Sequence, residues 1–294
     1  MRIGVPTEIK IEEYRVGLTP ESVFELTKNG HEVFIQKGAG QGIGASDQAY
    51  KKYGAIILDT AEDIYHTTEM IIKVKEPQPI EFPLIQSHHI VFTYLHLAAE
   101  KKLFAALQQS KCIAIAYETV TSSEGRLPLL APMSEVAGRL SIQMGAHHLT
   151  KSKGGSGVLL GGVPGVHPGR VTILGGGVAG LNAAQMAIGM GARVTIIDKS
   201  IERLRELDLI FNAKIKTIYS TTVAIEENVA QSDLVIGAVL VPGASAPKLV
   251  TEAMIKKMSS DNPLSNQVLE YLEKSYKILG KNSDHTEVFK VLKD

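Results

Sequence analysis

Cysteine is nearly absent from this 294-residue chain, and Cys112 is the single one. A lone cysteine excludes an intramolecular disulfide and a thiolate zinc centre. It opens the apolar run Cys112-Ile113-Ala114-Ile115-Ala116, which points to a buried structural thiol rather than a reactive one. Net charge is absent too, because 31 Lys and Arg residues balance 31 Asp and Glu residues. That balance argues against a protein whose main task is gripping DNA, RNA or an anionic membrane. No uninterrupted apolar stretch reaches the ~18 residues that a membrane span needs. The opening Met1-Arg2-Ile3-Gly4-Val5-Pro6-Thr7-Glu8 has no apolar core of the kind a signal peptide needs. A soluble, cytoplasmic protein is therefore the expectation. G-x-S-x-G, P-loop and H-E-x-x-H motifs are missing, as are a fixed-period repeat and a low-complexity tract. The pairs His88-His89 and His147-His148 lack the i, i+4 spacing of a helical metal site and read as structural.

The length corresponds to roughly two domains at about 150 residues each. Hydrophobic residues at 44% and charged residues at 21% exclude a wholly disordered chain. Short β-type runs alternate with helical patterns almost throughout. Arg2–Val5, Glu32–Ile35, Met70–Val74, Ile90–Tyr94 and Ile113–Ala116 read as strands. Glu21–Asn29, closed by Gly30, and Ala98–Gln109 read as helices. The second half repeats the pattern. Val171–Leu174, Arg193–Ile197, Ile215–Ile218 and Leu234–Val239 read as strands. Val178–Ile188, Ile201–Leu209 and Val250–Met258 read as helices. Such alternation predicts an α/β fold in which parallel sheets carry helices on their faces. Where a doubly wound sheet would continue, the chain reads Ser259-Ser260-Asp261-Asn262-Pro263, which is turn chemistry. A helical face of Leu264, Val268, Leu269, Leu272 and Tyr276 follows. The second sheet thus reads as one strand short.

Gly175-Gly176-Gly177-Val178-Ala179-Gly180 fits G-x-G-x-x-G between a strand and a helix, the context that gives this motif meaning. Gly175 permits the tight turn, Gly177 lets backbone approach a pyrophosphate, and Gly180 lets helix and strand pack closely. The helix N-terminus then offers its free N–H groups to phosphate. Asp198 ends the next strand, eighteen positions past Gly180. A carboxylate there accepts ribose hydroxyls and repels a 2′-phosphate, which favours NAD over NADP. Lys199 and Arg203 lie close by and temper that preference.

A dehydrogenase of small acids also needs cations for a carboxylate and a proton carrier near pH 7. Arg15, just after the first strand, could hold a carboxylate through its planar fork, or could face Glu12 or Glu13 at the surface. Lys75 ends a strand, with Lys73 on the same face, and both could equally be solvated. His96 follows the strand Ile90–Tyr94 among apolar neighbours, which suits a proton carrier and equally a core or capping histidine.

Taken together, these segments resemble the bacterial NAD-dependent alanine dehydrogenases, relatives of the NAD-binding subunit of transhydrogenase. The resemblance is carried by Met1–Glu8, Arg15-Val16-Gly17-Leu18-Thr19-Pro20 and Lys73-Val74-Lys75-Glu76-Pro77. It is also carried by Thr93-Tyr94-Leu95-His96-Leu97-Ala98-Ala99, Pro132-Met133-Ser134-Glu135-Val136-Ala137-Gly138-Arg139, Gly161–Val166 and the glycine loop. It runs from residue 1 to about residue 258. It implies two domains: an α/β substrate domain over 1–128 and a Rossmann doubly wound parallel sheet for NAD over 129–262. A C-terminal helix over 263–294 would return to the substrate domain. It implies that Arg15 and Lys75 bind pyruvate, and that His96 is the general acid/base interconverting L-alanine and pyruvate. Ser134, Val178, Ala179, Asp198, Arg203, Ser220, Val239 and Leu240 would join Gly175, Gly177 and Gly180 around NAD. It implies a homo-oligomer, a hexamer in this family, with no metal.

The chain departs from the family after Met258. Members continue with a V-D-x-A-x-D-Q-G-G-like segment carrying a catalytic aspartate, then an N-M-P-G-A-V-P-R-like segment beside the nicotinamide. Neither is found here. Glu270 lies in the later helical pattern and does not stand in for that aspartate. Two alternatives to an active enzyme stay open: a catalytically impaired NAD-binding homologue, and a transhydrogenase-like NAD subunit.

Overall fold

Alternating apolar runs and capped helices build two parallel sheets in this chain. The computed structural model describes residues 1–98, 100–239 and 248–258. The chain divides into two units, one closing at Leu130 and the next opening at Ala131. The expected helix over 263–294 and the expected absence of a last strand fall outside the described residues.

In the first unit the order is β1 (Arg2–Val5), α1 (Pro20–Lys28), β2 (Glu32–Gln36), α2 (Asp47–Lys52), β3 (Ile56–Leu58) and α3 (Ala61–Thr67). Then come β4 (Met70–Ile72), β5 (Ile90–Thr93), α4 (Lys101–Ser110) and β6 (Ile113–Ala116). The sheet runs β3-β2-β1-β4-β5-β6 and its pairings are parallel. Strand order reverses between β1 and β4. In open α/β sheets the crevice beyond the strand C-termini at such a reversal is where ligands bind. Phe34 and Ile71 belong to one buried cluster, while their neighbours Ile35 and Ile72 belong to another. Successive strand side chains point to opposite faces, so this sheet is buried on both.

Helix α1 shows local sequence at work. The Thr19 side chain accepts the Ser22 N–H, Pro20 supplies a preset φ at the first turn, and Gly30 takes φ +83° beyond the C-cap. Other boundaries moved for identifiable reasons. Strand β4 stops at Ile72 instead of Val74 because the Val74 N–H donates to the Glu8 carboxylate at 2.6 Å. Helix α4 starts at Lys101 instead of Ala98, after His96 has taken a left-handed φ of 50°. Cys112 is half-buried beside the cluster of Phe34 and Ile71, less enclosed than its apolar run suggests.

In the second unit the order is α5 (Ala131–His148), β7 (Arg170–Leu174), α6 (Val178–Gly189), β8 (Arg193–Asp198), α7 (Ile201–Phe211) and β9 (Ile215–Tyr219). Then come α8 (Thr222–Ala230), β10 (Leu234–Gly237) and α9 (Glu252–Lys256). Its strands align as β10-β7-β8-β9, all parallel. The core joins Val171 and Ile173 of β7 to Ala183, Ala184 and Ala187 of α6, with Ile142 of α5 also buried there. Among the described residues no helix is long and apolar enough to cross a membrane.

Candidate active site and cofactor loop

The candidate residues fall into two sets, one on each unit. In the first unit Arg15, Lys75 and His96 each follow the C-terminal end of a strand, namely β1, β4 and β5, which are neighbours at the order reversal. The Arg15 guanidinium donates through Nε and Nη2 to the two oxygens of Glu13, at 2.7 and 2.6 Å. The partnership with Glu13, one of two readings of the sequence, is thus present, and one bidentate edge of the fork is engaged. Burial raises the Glu13 carboxyl, but the hydrogen bonds and charge of Arg15 and the nearby Lys75 ammonium bring it net below the ordinary range.

Lys75 is half-buried. Burial, and then the charges of Lys10 and Arg15, pull its ammonium below the usual lysine range against the opposing pull of Glu76 and Glu13. Lys73 is not solvated. Its side chain is 0% exposed and its Nζ pairs with Glu8 at 3.2 Å and Glu81 at 3.1 Å, which are 2% and 3% exposed. Glu81 also accepts the Tyr65 hydroxyl and the Gln78 N–H. Burial lifts the Glu8 carboxyl above its ordinary range in spite of Lys73.

The His96 ring stacks near-parallel on Tyr94, with centroids 6.1 Å apart. Tyr94 in turn lies within electrostatic reach of Arg15, and its hydroxyl donates to the Leu129 carbonyl at 2.5 Å. Two cations and an imidazole thus follow the C-terminal ends of three neighbouring strands. His89, by contrast, is fully buried. Its Nδ1 accepts the Gln86 N–H, so its Nε2 is the atom that donates to the Tyr65 carbonyl. This is the structural role the sequence suggested. Among the described residues no group of His, Cys, Asp and Glu is arranged to hold a metal.

In the second unit the glycine loop has the geometry the motif requires. Gly175 adopts φ +99°, and a Cβ on Gly180 would lie 1.9 Å from the Gly175 carbonyl oxygen. A Cβ on Gly177 would meet nothing within 4 Å, so open space faces that backbone where a pyrophosphate would approach. Val178 and Ala179 begin α6 at this opening. Asp198 spans the loop: one carboxylate oxygen accepts the Gly176 N–H at 2.6 Å and the other accepts the Ser200 N–H at 2.8 Å. Arg203 donates Nε to the Gly176 carbonyl and Nη1 to Glu206. Ser220 follows β9 and donates its N–H to the Asp198 carbonyl. Val239 lies against Gly175. Ser134 sits one turn before Gly138, whose position allows α5 to touch the Ala179 carbonyl of α6. Leu240 lies outside the described residues. The open face at Gly177, a helix N-terminus and a carboxylate at the next strand end fit an adenine dinucleotide.

Glu8, Glu13, Glu118 and Tyr94 were not singled out by the sequence. Glu8 and Glu118 act at strands that lie far away along the chain, so no local pattern marks them. Glu13 was visible only as one of two acidic neighbours of Arg15.

A parallel sheet bearing this loop, joined in one chain to a second parallel sheet with a cationic strand edge, defines a two-unit nucleotide-dependent oxidoreductase class. The match to known proteins is extensive. The model of the alanine dehydrogenase/PNT N-terminal domain matches residues 4–137, and that of the C-terminal domain matches residues 141–262. The alanine dehydrogenase of Mycolicibacterium smegmatis is 55% identical over 258 residues, covering 88% of this chain and 70% of the relative. That of Bacillus subtilis is 56% identical over 259 residues, covering 88% and 68%. A solved L-alanine dehydrogenase superposes with a TM-score of 0.83 at 52% identity, covering 88% of this chain and 72% of that one. A transhydrogenase from Sinorhizobium meliloti gives 0.74 at 26% identity, covering 90% and 76%. The chain belongs to the alanine dehydrogenase/PNT family.

Proposed function

We propose that this chain is an NAD-dependent alanine dehydrogenase, interconverting L-alanine, water and NAD with pyruvate, ammonium, NADH and a proton. The observation that carries the reading is the gathering of Arg15, Lys75 and His96 beyond adjacent strands at the order reversal of one sheet. The higher identity to L-alanine dehydrogenase than to the transhydrogenase supports it over a transhydrogenase-like role. NAD, when bound, supplies the hydride acceptor. Arg15 and Lys75 hold the carboxylate and carbonyl oxygen of pyruvate, and a carboxylate clasped through the engaged edge of Arg15 displaces Glu13 from it. His96 moves the proton. Gly175, Gly177 and Gly180 with Val178 and Ala179 shape the phosphate site. Asp198 receives the ribose hydroxyls, and Ser134, Arg203, Ser220, Val239 and Leu240 complete the pocket. A hexameric assembly in the cytoplasm, serving L-alanine catabolism, belongs to the same reading and rests on the family resemblance. Light scattering on the purified chain tests the assembly. Purified protein given alanine and NAD should produce NADH absorbance, and no NADH at any alanine concentration would overturn the proposal.

A second reading is favoured by one feature, the missing aspartate-bearing segment after Met258. On that reading the 294-residue chain binds NAD and turns alanine over feebly. The intact mass measured beside turnover separates the two. Ordinary turnover at 31.7 kDa removes the second reading.

Two outcomes follow for the assigned residues. Lys75→Ala and Arg15→Ala should each weaken pyruvate use about tenfold or more, because a lost charge-assisted hydrogen bond costs roughly 1.5–3 kcal/mol, while NADH affinity holds. Lys75 binds only as an ammonium and its pKa is lowered, so pyruvate KM should rise at a lower pH than an ordinary lysine would dictate. A flat alkaline profile, or unchanged pyruvate kinetics in both variants, would return them to the status of surface cations. Asp198→Asn should weaken NADH about tenfold and narrow the gap to NADPH, since it removes the charge that repels a 2′-phosphate while sparing an acceptor for Gly176. Parent protein that already prefers NADPH would refute the assignment.

A further inference from the structure

The strand that delivers His96 ends on a carboxylate from another strand. Oε1 of Glu118, just beyond β6, accepts the His96 N–H at 2.7 Å and the Leu95 N–H at 3.1 Å, and its Oε2 lies 3.3 Å from the same Leu95 nitrogen. His96 itself sits at φ 50°, a left-handed conformation that residues with a Cβ adopt only at a cost. Such strain persists only where the surroundings over-determine it. The same device stands one strand away, where Glu8 accepts the Val74 and Lys75 amides at 2.6 and 3.4 Å. There the carboxylate is held in turn by buried Lys73.

We propose that Glu118 is a positioning residue: by accepting two consecutive amides it holds His96 in its left-handed turn and so aims the imidazole at the cationic strand edge. This rests on the reading of His96 as the proton carrier. Oε1 takes the shorter bond to each amide, so one carbonyl-type oxygen at that place can hold both. A glutamine, which keeps that carbonyl oxygen, should therefore replace it, and an alanine should not.

The test is selective 15N-histidine labelling of the full chain as parent, Glu118→Ala and Glu118→Gln, with turnover of each. In Glu118→Ala the His96 amide signal should move upfield and exchange at least tenfold faster, and kcat should fall by about tenfold or more with the Kd for NADH unchanged. Glu118→Gln should restore both. An unaltered His96 signal in Glu118→Ala, or a Glu118→Gln protein as perturbed as Glu118→Ala, overturns the proposal. His96→Ala and the double variant separate this from the reading beneath it. If Glu118 acts through His96, Glu118→Ala costs nothing further once His96 is gone. A fully active His96→Ala protein sinks the catalytic reading of His96, while the amide signals of Glu118→Ala still report on the clamp. A melting temperature within a few degrees of the parent guards against simple unfolding.

Discussion

Replacing His96 by alanine should slow interconversion of alanine and pyruvate by about 10²–10⁴, the usual contribution of a positioned acid or base, with NADH affinity within a factor of two. The imidazole is the titratable group whose ordinary range lies nearest neutral pH. It follows β5 at the edge where Arg15 and Lys75 also arrive. The residues proposed to hold the cofactor are a separate set that does not include His96, so NADH affinity should hold. Alanine is poorly suited to φ 50°, and part of any loss could come from backbone relaxation. Asparagine tolerates that region far better. His96→Asn should therefore keep the melting temperature of the parent and still lose the rate. Single-turnover NADH oxidation with pyruvate and ammonium reads the effect directly. Parental turnover in the asparagine variant would exclude His96 from proton transfer.

The largest stability effect is expected at Lys73. Lys73→Met leaves Glu8 and Glu81 buried without their shared cation. Breaking a buried pair from one side typically costs about 3–5 kcal/mol, which corresponds to a fall in melting temperature on the order of 10 °C for a unit of this size. The loss should be partly recovered in Lys73→Met/Glu81→Gln, where one buried carboxylate becomes a neutral amide whose single oxygen still accepts the Gln78 N–H. Glu8 also holds the end of β4, so the single variant should use pyruvate less well even below its melting transition. Thermal denaturation followed by circular dichroism decides it. A cost under about 1 kcal/mol, the level of an exposed pair, would mean that the triad contributes little.

These two sites differ in how far they can be read from sequence. The glycine loop is legible because its turn, phosphate face and helix start lie within a few residues. Thr19, Pro20 and Gly30 fix α1 for the same reason. The pairing of Arg15 with Glu13 spans two positions and was visible as one of two alternatives. Lys73 was indistinguishable from a solvated lysine because its partner Glu8 stands 65 positions earlier and Glu81 belongs to a separate loop. Glu118 lies 22 positions from His96, and neither residue type announces a strand-end clamp. The end of β4 was overestimated for that reason: the apolar pattern continues to Val74 after the Glu8 carboxylate has taken over its backbone donor.

The nucleotide loop is a frame with a separable label. The frame is steric, because any side chain at Gly180 collides with the Gly175 carbonyl and a Cβ on Gly175 would lie 2.7 Å from the Ala238 carbonyl. The label is electrostatic and sits on the short stretch from Asp198 to Glu206, where a carboxylate faces the loop and Arg203 is restrained by Glu206. Redesign of cofactor choice can accordingly be confined to that stretch. Releasing Arg203 by altering Glu206, together with neutralising Asp198, would present a guanidinium in place of a carboxylate while the scaffold beneath keeps its shape.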